Sequence, residues 1–311
     1  MERFLVTGGA GFIGSNIARK LVGQGCFVRV LDNLSTGKLS NLSDIMDKVE
    51  FIQADMGDAQ VAAGAMKDID VVLHEGALPS VPRSIDDPAA THKHCVDATF
   101  TLLLAARDAK VKRFVYAASS SAYGDTPTLP KIETMPVNPL SPYAVGKLVG
   151  EYYCSVFSKV FGLETVALRY FNVFGPYQNP KSQYAAAIPA FVTAVLNDTP
   201  PVVYGDGEQT RDFTFIDNVV EANLLAARAG STHGEVVNIA CAERISVNEI
   251  ISLINKNLGK NVSINYQPTR RGDVKHSLAD ISLAGKIIGY KPIVSFKDGL
   301  AIAIEWYKNN W

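Results

Sequence analysis

Residues 7–14 read Thr7-Gly8-Gly9-Ala10-Gly11-Phe12-Ile13-Gly14, and the fold class turns on them. A short apolar run over residues 4–7 enters the stretch. An apolar stripe of Ile13, Ile17, Leu21 and Val22 leaves it with a helical period over residues 12–24. Glycine at positions 8, 11 and 14 lets the backbone approach a pyrophosphate with no Cβ in the way. The next helix aims its free N–H groups and positive dipole end at the anion. Gly14 also allows that helix to lie close on its strand. A second apolar run over residues 27–31 ends at Asp32. A carboxylate there accepts hydrogen bonds from a ribose diol and repels a 2′-phosphate, which selects NAD over NADP. Asp55, just beyond a third run over residues 49–54, is a partner for the adenine amino group or the N-cap of the next helix.

Further strand patterns fall at residues 70–73, 113–118 and 165–170, with helical stretches over 89–109 and 141–161. The strands are rich in Val, Ile and Phe with little alternation, as expected when both faces are covered by helices. The fold class is therefore α/β, a doubly wound parallel sheet of Rossmann type. After Asn172 the rhythm breaks at Pro176, Pro180, Pro189, Pro200 and Pro201. Helix patterns lie over residues 185–196, 247–258 and 295–309, and strand–helix patterns over 213–229 and 236–246. We read residues 1–172 as the NAD-binding domain, with 213–245 packed onto it. Residues 173–311 form mainly a smaller α/β substrate-binding domain, with a cleft between the two.

Composition narrows the function. Of 311 residues, 47% are apolar and 20% charged, and 30 basic side chains face 31 acidic ones. No basic excess points to nucleic acid, and no apolar run reaches the ~20 residues of a membrane helix. The four cysteines are scattered, which suits a reducing cytoplasm. His92 and His94 stand two apart and share no helical face, so no metal site is expected.

Two further motifs carry chemistry. Tyr143 and Lys147 in Ser141-Pro-Tyr-Ala-Val-Gly-Lys147 share a helical face at i,i+4. An ammonium beside a phenol, with the nicotinamide's positive charge added, favours the phenolate and makes it a base toward a sugar hydroxyl. Ser119, Ser120 and Ser121 leave the strand over residues 113–118 at its carboxyl end, where open α/β sheets bind ligands.

With Gly8-x-x-Gly11-x-x-Gly14, Ser119, Tyr143-x-x-x-Lys147 and Leu168-Arg-Tyr-Phe-Asn172, the chain resembles the extended short-chain dehydrogenase/reductase family, specifically its nucleotide-sugar 4-epimerases. The resemblance runs from Gly8 through Asp280. It implies Ser119, Tyr143 and Lys147 as the catalytic triad, with Tyr143 the base. It implies NAD held by Gly8, Gly11, Phe12, Ile13, Gly14, Asp32, Asn33, Ser35, Thr36, Gly37, Asp55, Met56, Gly76, Ala77, Cys95, Tyr143, Lys147 and Tyr170. It also implies a UDP-sugar held by Pro79, Ser80, Ser119, Ser120, Ser121, Tyr143, Asn172, Gln178, Ala186, Tyr204, Arg211, Arg270, Asp273 and Ser277. Arg211 and Arg270 suit a diphosphate, which guanidinium forks grip in bidentate fashion.

Val81-Pro-Arg-Ser84, Gln178, Tyr184-Ala-Ala186 and His276-Ser277 are similar to the subgroup preferring N-acetylated UDP-hexoses, where Ala186 and Ser277 leave room for an acetamido group. Two positions depart from the pattern: Cys95 stands where many relatives place Asn, and Pro79 where the nearest subgroup has Gly. Expected activity is 4-epimerisation of UDP-GlcNAc/UDP-GalNAc or UDP-Glc/UDP-Gal through a 4-keto sugar. The alternatives are a UDP-uronic acid epimerase or decarboxylase and, from another class, a catalytically silent NAD-binding sensor. Dehydration is disfavoured because Ser120 and Ser121 fill the place of an acidic pair. The helices over residues 89–109 and 142–161 carry apolar residues on more than one side, and the family forms a four-helix homodimer interface from such a pair.

Overall fold

The computed structural model describes residues 1–180, 186–269 and 275–310. Its centre is a seven-stranded sheet built from β1 (Arg3–Thr7), β2 (Phe27–Asp32), β3 (Val49–Gln53), β4 (Val71–His74), β5 (Arg113–Ser119), β6 (Glu164–Tyr170) and β7 (Glu235–Ile239). The order is β7-β6-β5-β4-β1-β2-β3, and every pairing is parallel. The chain winds outward from β1 to β3 and then starts again on the other side of β1. This puts a topological switch point between β1 and β4, where open α/β sheets take their ligands.

Both faces are buried, which explains why the strands look continuously apolar. Along β5, Val115 and Ala117 pack into one core and Phe114, Tyr116 and Ala118 into the other. Helices α1 (Phe12–Gly23) and α8 (Ile216–Arg228) pack together on the first side. Helices α2 (Ala59–Ala65), α5 (Ala98–Asp108) and α6 (Pro142–Phe161) cover the second. The doubly wound Rossmann-type fold expected from the sequence is borne out.

Two local features differ from expectation. The helical path expected over residues 89–109 consists of α4 (Pro88–His92), a π-helical turn at Lys93–Asp97 and α5. A π turn inserts one extra residue into the helical ladder and rotates the face that α5 presents. Cys95 sits in that turn, close enough that a Cβ on Gly146 of α6 would lie 3.1 Å from its own Cβ. Between β4 and α4 the chain also forms α3 (Val81–Asp86), capped by Ser80 Oγ, which accepts from Arg83 N at 3.3 Å.

Beyond β6 the strands, β7 apart, are short. Val173–Phe174 pairs with Thr214–Phe215, Val202–Tyr204 with Asn265–Gln267, and Thr210–Arg211 with Ile245–Ser246. Helices α7 (Ala187–Leu196), α9 (Val247–Leu258), α10 (Ser282–Ile288) and α11 (Phe296–Asn310) complete this region. Phe174, Phe213, Phe215 and Phe296 stack among themselves and join it to the core under β6.

Candidate active site

The glycine turn is shaped by contacts that no side chain could share. Gly8 has φ +64°, and a Cβ on it would lie 2.7 Å from Gly76 Cα. One on Gly14 would lie 2.4 Å from the Gly8 carbonyl oxygen. Gly11 is the N-cap of α1 and brings no side chain to its first N–H groups, so they remain available to an anion. Phe12 and Ile13 start the helix and pack partly into the core.

Asp32 closes β2 beside this turn. Its Oδ2 accepts from Ala10 N at 3.0 Å and its Oδ1 from Leu34 N at 2.7 Å. Burial pushes its carboxyl up, while those two bonds favour the charge. The carboxylate is thus fixed at the strand end with lone pairs left for a diol. Asn33 Oδ1 accepts from Ser35 N at 3.0 Å and shapes the loop through Thr36 to Gly37. A Cβ on Gly37 would come within 2.9 Å of Asp32 Oδ2. The cradle and the carboxylate fit the adenosine and pyrophosphate of NAD.

Asp55 does not cap α2, one of its two readings. Asp58 does so, accepting from Gln60 N and Val61 N, while Asp55 Oδ1 accepts from Gly57 N at 2.9 Å in a turn of its own. Met56 reaches back to Gly76, where a Cβ would lie 2.5 Å from the Met56 sulfur. Gly76 N donates to Thr7 Oγ1 at 3.2 Å, and the same hydroxyl lies 2.7 Å from His74 Nδ1. Ala77 comes next on this segment, and Cys95 Sγ points at the Leu78 carbonyl, 3.9 Å away.

The reactive hydroxyls meet at the carboxyl end of β5. Ser141 caps α6 through its Oγ, which accepts from Ala144 N at 3.2 Å, and so starts the helix that carries Tyr143 and Lys147. Lys147 is buried, with Nζ donating to the Ala117 carbonyl at 2.7 Å and lying 5.0 Å from the centre of the Tyr116 ring. The Tyr143 phenol lies close enough to Ser119 for the serine to favour its charged form. Ser121 Oγ donates to Ser119 Oγ at 2.9 Å, and Ser120 begins a short turn after β5. Burial pushes Tyr143 above its ordinary 10.0, the Cys95 thiol and Glu75 add to this, and Ser119 only partly offsets it. Lys147 is itself pushed down by burial and donates one of its hydrogen bonds to the Ala117 carbonyl.

On the substrate side a pocket of about 290 Å³ is lined by residues that include Asn172, Ala186, Tyr204 and Arg211. Asn172 Nδ2 donates to the Asp212 carbonyl at 2.9 Å and to Ser277 Oγ at 3.4 Å. Arg211 donates to the carbonyls of Thr210 and Lys275, both at 3.0 Å. Gln178 Nε2 donates to the Val173 carbonyl at 3.2 Å, and its Oε1 is buried without a hydrogen-bond partner among the described residues. Pro79 is exposed and Ser80, with φ 122°, turns the chain into α3. Arg270, Asp273 and Tyr184 lie outside the described residues.

A model of the NAD dependent epimerase/dehydratase family matches residues 4–240. The chain belongs to this family. It is accordingly an NAD-using epimerase-type enzyme, as the sequence resemblance implied. A putative UDP-glucose 4-epimerase of Methanocaldococcus jannaschii is 38% identical over 308 residues, 98% of each chain. Among solved structures, the UDP-N-acetylglucosamine 4-epimerase of Methanobrevibacter ruminantium M1, in complex with UDP-N-acetylmuramic acid, superposes with a TM-score of 0.96. It is 38% identical and covers 100% of this chain and 99% of that one. The UDP-glucuronic acid 4-epimerase of Bacillus cereus, solved with UDP-glucuronic acid and NAD, gives 0.91 at 34% identity, covering 99% and 100%.

Sequence reasoning passed over His74, Glu75 and Asn223. His74 is fully buried between Thr7 and Thr99, with Nε2 2.9 Å from Thr99 Oγ1. Burial drives it down to about 3, so it is neutral. Glu75 is an acid one residue past an apolar strand, at the ligand-binding edge. That placement was the available signal.

Proposed function

We propose that the protein interconverts the C4 epimers of a UDP-hexose, with N-acetylated sugars, UDP-GlcNAc and UDP-GalNAc, preferred over UDP-Glc and UDP-Gal. The observation behind this reading is the convergence of Tyr143, Ser119 and buried Lys147 at the carboxyl edge of β5. The Tyr143 oxygen takes the proton of the sugar 4-hydroxyl and returns it to the same oxygen after the sugar has turned, while Ser119 orients both hydroxyls. Lys147, four residues on in the same helix, is held by its bond to the Ala117 carbonyl. NAD, when bound, supplies a hydride acceptor that gives the hydride back, and a positive charge that favours the phenolate.

For the sugar to turn over as a 4-keto intermediate, the nucleotide has to stay anchored. Asn172, Tyr204 and Arg211, with Arg270, serve that end. Ala186 and Ser277 leave volume for an acetamido group, which discriminates by about 1–3 kcal/mol and makes a preference rather than an exclusion. Arg83, partly buried at the start of α3 beyond Pro79 and Ser80, favours a second reading in which a C6 carboxylate is bound, as in a uronate epimerase or decarboxylase. Incubating the holoenzyme separately with UDP-GlcNAc, UDP-Glc and UDP-GlcA and separating the products tests this. UDP-GalNAc formed fastest supports the first reading. Turnover confined to UDP-GlcA supports the second.

We further infer that two copies pair through α5 and α6. Phe100, Tyr152, Val156 and Val160 stand out from these helices, Val160 with 66% of its surface exposed. An apolar stripe of this kind is a poor match to water and a good one to its own two-fold mate.

A further inference from the structure

We propose that His74 is a positioning residue for NAD binding, a neutral imidazole that carries its proton on Nε2 and ties the glycine turn to the π turn behind α6. The inference holds whichever sugar is turned over, and it rests on the glycine turn as the NAD cradle.

His74 ends β4 directly across from Thr7, the last residue of β1, and so stands at the switch point below the crevice. His74, Thr7 and Thr99 are all buried, where a polar group without a partner is costly. The far end of this chain of groups fixes where the protons lie. Thr99 Oγ1 donates to the Cys95 carbonyl at 2.8 Å, the back-bond of a threonine to the residue four before it. That commits the single hydroxyl proton of Thr99, so its 2.9 Å contact with His74 Nε2 requires the ring to donate. A neutral ring with its proton on Nε2 leaves Nδ1 as an acceptor, and Thr7 Oγ1 donates to it at 2.7 Å. The Thr7 oxygen in turn accepts from Gly76 N at 3.2 Å. The chain therefore runs one way, from the Gly76 N–H through Thr7, His74 and Thr99 to the Cys95 carbonyl.

Both ends bear on the site. A Cβ on Gly8 would lie 2.7 Å from Gly76 Cα, so the backbone that Thr7 holds is the wall against which the glycine turn closes. At the other end the Cys95 carbonyl belongs to the π turn at Lys93–Asp97, whose ladder is irregular. Cys95 meets α6 at Gly146, between Tyr143 and Lys147. Phe114 and Tyr116 wall the imidazole, each with 5.6 Å between ring centres, and burial keeps it uncharged. A ring in the other tautomer would face Thr99 with a bare nitrogen and no proton between them.

The test reads the imidazole nitrogens of the holoenzyme labelled with nitrogen-15 at histidine. The His74 signals are assigned by their loss in His74→Gln or, should that variant not fold, by replacing the other histidines in turn. The proton should sit on Nε2, with the ring uncharged at neutral pH. A proton on Nδ1, or a charged ring, overturns the proposal. Thr99→Val and Thr99→Ser then separate the bond from the packing. Valine keeps the volume and removes the acceptor, whereas serine keeps the acceptor and gives up a buried methyl. The Thr99→Val holoenzyme should release NAD on the order of tenfold faster than Thr99→Ser, which stays near the wild type. A merely structural role ranks the two the other way, because the serine variant alone leaves a void. Equal release rates or the reversed order overturn the proposal. If Gly14→Ala also leaves NAD release unchanged, the cradle reading itself falls. If Gly14→Ala releases NAD faster while the Thr99 variants match, only the role of His74 falls.

Discussion

At position 14 the space for a side chain is already taken by the Gly8 carbonyl, 2.4 Å from where a Cβ would sit. Gly14→Ala forces the turn apart and is expected to cost about 1–3 kcal/mol of overpacking strain. Because the same turn offers its N–H groups to the pyrophosphate, the loss of NAD affinity, read by titration calorimetry, should exceed what the lowered melting temperature alone explains. The glycines, Asp32, the serines and the Tyr143–Lys147 pair were legible in sequence because each is a residue type at a spacing that its chemistry demands. What spacing cannot carry is desolvation. In the chain itself burial raises the Tyr143 phenol, and Lys147 is bonded to the Ala117 carbonyl. For Glu75 the sequence offered only its place just past an apolar strand, while its raised carboxyl comes from the walls around it.

Among elements, α6 does the placing. It lies so near β5 that a Cβ on Gly150 would stand 2.3 Å from the Tyr116 hydroxyl. The next residue, Glu151, receives Arg169 Nε and Nη2 of β6 at 2.9 and 2.7 Å, with both side chains buried. Glu151→Ala leaves an unpaired buried guanidinium and should cost about 3–5 kcal/mol in urea unfolding. Replacing both partners by apolar residues of similar volume should cost far less. The long helix and its capping Ser141 were readable from periodicity and a Ser-Pro start. The π turn at Lys93–Asp97 was not, because one inserted residue leaves the apolar pattern of residues 89–109 nearly intact. Short α3 and the paired two-residue strands are held by tertiary contacts and have too few residues to show a period.

For the whole molecule, the doubly wound order comes from repeated strand–helix units, and the switch point between β1 and β4 puts the glycine turn and the Glu75 segment side by side. The pairing surface on α5 and α6 is testable at this scale. Val156→Glu, with 47% of the residue exposed in the single chain, should yield monomers by light scattering while the fold persists by circular dichroism. The proposed chemistry requires one site to remove the hydrogen at C4 and restore the same hydrogen to the other face. Incubating the holoenzyme with UDP-GlcNAc carrying deuterium at C4, then examining the epimer by mass spectrometry and NMR, reads that requirement out. Deuterium should stay at C4 with the configuration there inverted. Its loss to water would show that the hydrogen leaves the site, and the proposed mechanism would fail.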